Sequence, residues 1–243
     1  MVRISNITLT LDEAVTKEKE LTSLHKFISF TYRISRSDIL SFQIFKKAVD
    51  ARRENIRFVY NVDIGLKNEK EFLRRNLKNV MATPDLAYKE VESGKAIPKG
   101  RIVIVGFGPS GIFAAYILAR RGYKPLVLER GLDVDKRTGL WNDFQTNRTF
   151  NENGSILFGE GGAGTFSDGK LTTLVNDLRS RVVLETLVKA GADPEVLYIN
   201  KPHIGTDELI KVIKNIRKEI IALGGEIRFG AKVTDLITDG KNL

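Results

Sequence analysis

The feature that most constrains this chain is a glycine turn set between an apolar run and a helical pattern. Residues 101–105 read RIVIV, and Gly106-Phe107-Gly108-Pro109-Ser110-Gly111 follows directly. Beyond it, Ile112, Ala115, Tyr116 and Ala119 fall on one helical stripe, and Gly122 stands where a left-handed C-cap is wanted. A second short apolar run, PLVLER, then ends at Glu129-Arg130. Strand, helix over roughly 110–121 and strand within about 30 residues make a βαβ unit, the building block of a parallel sheet. The predicted class of this part of the chain is therefore α/β, with a Rossmann-like arrangement.

Each glycine has a separate task in such a turn. Gly106 permits the tight bend, Gly108 leaves room for a pyrophosphate beside the backbone, and Gly111 lets helix and strand pack closely. Pro109 and Ser110 occupy the first helical turn, where the missing N–H of proline costs little. Free N–H groups and the helix dipole at that end favour a diphosphate. Glu129 follows Gly111 after 17 intervening residues, at the end of the second strand. A carboxylate there accepts hydrogen bonds from ribose hydroxyls and repels a 2′-phosphate, so the spacing predicts FAD or NAD and not NADP.

A second glycine cluster lies at 158–171, FGEGGAGTFSDGKL, with five glycines between 159 and 169. Such density brings backbone against a flat or phosphorylated ligand. A flexible surface loop is the alternative, and the interleaved Phe158, Thr165, Phe166 and Leu171 argue against it, because linkers carry little apolar content.

Residues 1–80 predict a small α+β module. VRISNITLTL alternates as a strand, Leu21, Leu24 and Ile28 recur at helical spacing, and 39–51 and 55–66 read as strands flanking a turn near 52–55. A short helix over 68–80 completes the module. The stretch 81–100, with Pro84, Gly94, Pro98 and Gly100, reads as a linker, and 101–243 as the second domain. Downstream, Thr206 is placed to cap a helix over about 207–223, Gly224–Gly225 stop it, and EIRF and KVTDLI read as strands.

Composition narrows the chemistry. The chain has no cysteine, which excludes disulfides, iron-sulfur clusters and a redox-active Cys pair within these residues. Two separated histidines, His25 and His203, make a His-rich metal centre a poor expectation, so no metal is predicted. No apolar run approaches the ~18 residues of a membrane span, and the start lacks a secretory signal pattern, so a cytoplasmic location is expected. The net charge of +9 leans toward residues 1–100, with 19 Lys+Arg against 13 Asp+Glu. That raises nucleic acid as a partner for the first module, through Lys46, Lys47, Arg52, Arg53 and Arg57 with Phe42, Phe45 and Phe58 interleaved. On paired strands, however, alternate residues face opposite sides, which favours aromatics in the core and charges in solvent, so nucleic acid stays the secondary reading.

The string GEGGAGTFSDGK, with GFGPSGIFAAYILARRG, LERG followed by Asp135-Lys136-Arg137-Thr138, KPHIGTDEL and VDARRENIRFVYNV, resembles the FAD-dependent dehydrogenases often described as NAD(FAD)-utilising dehydrogenases. The segment FNENGSIL departs from the usual pattern of that family. The resemblance implies an FAD-dependent oxidoreductase taking electrons from NAD(P)H. It implies the FAD pyrophosphate at residues 106–111, the adenosine ribose on Glu129, Val233 in a strand beside the adenine, and the riboflavin end near residues 161–170. Arg130 and Arg137 become candidates to neutralise phosphate charge. Lys170, Thr165 and the N–H groups of Gly162 and Gly164 become candidates to stabilise reduced flavin, with Gly161 in the same loop and Asp168 to orient Lys170 or bind a ribityl hydroxyl. No catalytic proton donor is assigned. The resemblance also implies a substrate domain and a return to the FAD sheet beyond residue 243. The chain is therefore expected to act as an N-terminal half, binding FAD weakly unless the missing portion or a partner subunit completes the site. A plain single-Rossmann NAD dehydrogenase is the third reading, in which the loop at 159–169 has no role.

Overall fold

The computed structural model describes residues 1–243 apart from 53, 93, 97, 153, 155, 168, 172, 174, 176, 239 and 241–243. The chain divides into two units, Met1–Tyr88 with Pro194–Pro202, and Lys89–Asp193 with His203–Leu243.

In the first unit the elements run β1 (Val2–Thr10), α1 (Lys17–Tyr32), β2 (Ile39–Asp50), β3 (Arg57–Leu66), α2 (Glu69–Arg74) and β4 (Val80–Ala82). They form a four-stranded sheet in the order β2-β3-β1-β4, antiparallel throughout. This is the split βαβ, or ferredoxin-like, arrangement. The apolar residues of β1 occupy even positions at first, Val2 and Ile4, then odd ones, Ile7 and Leu9. Straight alternation would put them on opposite faces. A bulge between Ile4 and Ile7, with Asn6 at φ 59°, absorbs the extra residue and turns all four into the core. In β2 the corresponding shift lies between Ile44 and Lys46, and it puts Lys47 on the face of Phe42 and Ile44.

Helix α1 begins where Thr16 Oγ1 accepts the Lys19 N–H at 3.2 Å, and it stops at Arg33 in the left-handed region. Its buried residues are Glu20, Leu24, Ile28 and Tyr32, at strict i+4 spacing, while Leu21 is exposed. Burying Leu24 and Ile28 contributes roughly 1.5–3 kcal/mol each. The expected boundary at residue 80 falls short, because β4 pairs with β1 at 80–82 and gives that segment a place in the sheet. Residues 198–200 join the outer edge of β2, with Lys47 N–H donating to Tyr198 O and Asn200 N–H to Lys47 O.

The second unit contains β5 (Val103–Val105), α3 (Pro109–Arg120), β6 (Leu126–Glu129), α4 (Val134–Asn147), α5 (Leu178–Lys189), α6 (Thr206–Ala222) and β7 (Glu226–Phe229). The strands make a parallel sheet in the order β5-β6-β7. Ile112, Ala115, Tyr116 and Ala119 are the buried stripe of α3, as the spacing predicts. Gly122, at φ 80°, closes that helix: its N–H reaches Ala119 O and the Tyr123 N–H reaches Leu118 O, a Schellman pair. Helix α6 buries Leu209, Val212, Ile213, Ile216 and Ile220, and Tyr116 Oη meets Glu219 Oε1 at 3.2 Å between α3 and α6. Val103 and Val105 remain 42% and 64% exposed, in register with Leu126 and Leu128.

Two expectations change here. Gly205, not Thr206, is the N-cap of α6; the Thr206 hydroxyl instead donates to Ser167 O at 2.7 Å, because that carbonyl lies within its reach. KVTDLI is irregular, since no described strand offers it a ladder, and Val233 therefore lies outside any strand. Among the described residues no helix is long and apolar enough to cross a membrane, and no group of three or more His, Asp or Glu could hold a metal ion.

Candidate functional site

The site is built where the two βα turns of the parallel sheet meet the glycine loop. After β5, Gly106 bends at φ 95° and its N–H donates to Leu128 O at 2.8 Å. Gly108 is the N-cap of α3 and Pro109 its first residue. A Cβ added at Gly108 would meet nothing within 4 Å, so the space beside this backbone is open. A Cβ on Gly111 would fall onto the Gly106 carbonyl oxygen and within 2.9 Å of its carbon, so the close-packing task is real. Pro109 and Ser110 are exposed on the first helical turn.

Glu129, at the end of β6, is only 3% exposed. Its Oε2 accepts the Phe107 N–H at 2.6 Å and its Oε1 the Gly131 N–H at 2.7 Å. The carboxylate thus clasps both turns, and each oxygen keeps a further lone pair. Phe107 is fully buried against Phe229 in an edge-to-face contact with centroids 6.0 Å apart.

The loop at 159–166 packs on these turns backbone to backbone. Gly161 N–H donates to Phe107 O at 2.9 Å and Glu160 N–H to Leu132 O at 3.1 Å. Gly131 has no room for a side chain, since a Cβ would lie 2.5 Å from Gly159 Cα. At Gly162, φ is 66° and a Cβ would approach Pro109 Cδ to 3.3 Å and Gly108 Cα to 3.6 Å. The loop therefore reaches the open space at the start of α3.

Several candidate side chains have other employment. Arg137 is 3% exposed; it donates through Nη1 to Glu160 O and through Nη2 to Ile156 O and Gly162 O, both at 3.1 Å, and lies 4.5 Å from the Phe166 ring centroid. It braces the glycine loop from within. Burial pushes its guanidinium down to about 10, against the pull of Glu129 and Glu160. Thr165 is fully buried with its hydroxyl toward Glu160 O, and Gly162 N–H donates to Gly159 O, so both are spent within the loop. Arg130 is exposed and stacks over Phe158 at 3.9 Å. Gly164 has open space at its Cα. Lys170 is exposed and bridges through its backbone to His203. Asp168 lies outside the described residues.

Two residues without a predicted role join the site. Glu160 is completely buried, and its Oε2 accepts the Val134 N–H at 2.8 Å and Arg217 Nη1 at 2.7 Å. A lone charge inside a run of glycines was the available signal for Glu160. Arg217 flanks the buried stripe of α6, four residues after Ile213 and three before Ile220, and that spacing was the one available signal for it.

The basic cluster of the first unit does not form one face. Lys47 is held at 2.5 Å by Glu20 Oε1, which also accepts the Tyr60 hydroxyl at 2.5 Å, while Lys46 is exposed and Arg52 pairs with Asp50 at 2.7 Å. Arg53 lies outside the described residues.

The two units thus define an α/β chain with an antiparallel split βαβ sheet and a parallel sheet bearing a glycine-rich turn. Residues 1–65 match a family described as a domain of unknown function (DUF8436), which falls on the antiparallel sheet. A protein of Clostridium beijerinckii, described as uncharacterized, is 45% identical over 243 residues. That alignment covers 99% of this chain and 44% of the relative, so the chain spans less than half the relative's length.

Proposed function

We propose that this chain is the dinucleotide-binding part of an FAD-dependent oxidoreductase that draws electrons from NAD(P)H. The observation that carries the reading is the open space at Gly108, bounded by the first turn of α3 and by Gly162, with Glu129 fixed at the end of the next strand. Residues 106–111 hold the pyrophosphate through the free N–H groups of the helix start. Glu129 uses its remaining lone pairs for ribose hydroxyls, and its charge selects against a 2′-phosphate. The strand order β7-β6-β5 matches the 3-2-1 half of a dinucleotide-binding sheet.

The residues fit the cofactor at its phosphate and ribose. Bound flavin supplies hydride acceptance and onward electron transfer; the protein's part is to hold and orient it. Lys170 and Gly164 are the loop's candidates to stabilise reduced flavin; the Thr165 hydroxyl and the Gly162 N–H are turned to Glu160 O and Gly159 O. Parallel sheets are ordinarily covered on both faces, so the open face carrying Val103 and Val105 supports a further polypeptide region completing the unit.

The test is the visible spectrum of the purified chain with FAD, then with NADH and NADPH under anaerobic conditions. Structured flavin bands that bleach with one nicotinamide support the reading and choose the donor. A spectrum identical to free FAD, both alone and with the remaining portion of the longer Clostridium beijerinckii relative supplied, overturns it.

A further inference from the structure

Among the described residues Glu160 is the most deeply buried carboxyl of the second unit, and it belongs to the loop that faces the open space at Gly108. Its Oε2 is satisfied by the Val134 N–H and Arg217, whereas Oε1 is buried with no hydrogen-bond partner among the described residues. Asp133 and Asp135 from the start of α4 and Arg217 from α6 act on it; Arg137 donates to its backbone carbonyl and itself feels Glu129, and Lys214 pairs with Asp135. A carboxylate with one unsatisfied buried oxygen is costly in its charged form. Burial accordingly pushes the Glu160 carboxyl upward, with Asp133 and Asp135 adding to the push and the Val134 N–H and Arg217 opposing it.

We propose that Glu160 is a proton-carrying positioning residue: held between the first turn of α4 and Arg217, it seats the glycine loop on the 106–111 turn, and its protonation strengthens binding of a dinucleotide pyrophosphate there. The inference rests on the dinucleotide reading. The link is direct in the chain, because Gly161 N–H bonds Phe107 O and Gly162 lies against Gly108 and Pro109. An added pyrophosphate anion disfavours a second negative charge nearby, so binding draws a proton onto Glu160.

The experiment uses FAD, whose pyrophosphate keeps its charge from pH 5.5 to 8, titrated into the whole chain, Glu160→Gln and Arg217→Lys. All three are compared in a His203→Gln background, which leaves this unit without a histidine. The wild-type loop loses affinity about fivefold across that range, the low end for coupled sites. Glu160→Gln stays level and binds more tightly than wild type at pH 8. Arg217→Lys keeps the pH dependence with weaker binding throughout. Equal pH slopes in wild type and Glu160→Gln overturn the proposal.

A ligand-free arm separates this failure from failure of the FAD reading. Because the folded-state carboxyl is raised, wild-type stability is greatest below the ordinary Glu range and falls as pH rises through the raised value, relative to Glu160→Gln. If FAD binds no variant but this stability difference is present, the dinucleotide reading and the ligand half of the proposal fall, and the seating role of Glu160 stands. If the two stability curves run parallel, the seating role falls as well.

Discussion

Substituting alanine for glycine at two helical positions of the second unit changes stability in opposite directions. Gly139 lies inside α4, exposed, and a Cβ there meets nothing within 4 Å. Gly139→Ala therefore gains helix propensity and stabilises by roughly 0.5–1 kcal/mol. Gly111 lies in the first turn of α3 and gains the same propensity, but its new Cβ collides with the carbonyl of Gly106, oxygen and carbon alike. Those are backbone atoms of a turn whose amide is bonded to Leu128 O, so no flexible side chain can yield. Overpacking of this kind costs about 1–3 kcal/mol, and a backbone neighbour puts it at the top of the range. After the propensity gain, Gly111→Ala is expected to destabilise by about 2 kcal/mol. Urea unfolding followed through Trp141, the one tryptophan of the chain, reads this unit directly. A Gly111→Ala midpoint equal to or above wild type refutes the close-packing argument, and with it the assignment of the third glycine.

Other expectations follow from individual contacts. Asp63 holds Arg3 through two hydrogen bonds of 2.7 and 2.8 Å, both residues being buried and Arg3 lying 3.4 Å from the Phe45 ring centroid. Asp63→Ala strands that guanidinium and costs about 3–5 kcal/mol in urea or thermal unfolding followed by circular dichroism. Glu129→Gln leaves one acceptor for the buried N–H groups of Phe107 and Gly131, at a cost of about 1–3 kcal/mol, and loses the discrimination between FAD and a 2′-phosphorylated nucleotide in competition binding. Asp133 is lowered despite burial, because hydrogen bonds from Lys136 hold its ionised form. Its contribution is present above the ordinary Asp range and fades as pH falls through and below it, so Asp133→Asn flattens that acid limb, the opposite sign to Glu160→Gln.

What the sequence made legible is the part governed by local rules. The stripe of α3, its Gly122 stop, the parallel strand pair, the bend at Gly106 and the tight fit at Gly111 follow from spacing and backbone sterics, and they recur in the fold. Long-range pairing was not legible. The bulges in β1 and β2 appear in the sequence only as a shift of apolar parity, and the face of Lys47 depends on one of them. Thr206 looked like a cap because its alternative acceptor, Ser167 O, is 39 residues away. Arg137 read as a surface or phosphate arginine because the three carbonyls that bury it belong to a loop whose path glycine content does not specify. Val233 had the alternation of a strand without a neighbour among the described residues to make one.

If a dinucleotide pyrophosphate lies in the open space at Gly108, FAD affinity compared between wild type and Gly108→Ala shows it most directly. An added methyl there meets no protein atom, and as an N-cap change it costs about 1 kcal/mol or less, so the variant remains folded by Trp141 fluorescence. FAD binding is expected to fall at least about tenfold in this folded variant, because the methyl occupies the phosphate's place. Equal FAD affinity in the two proteins contradicts it.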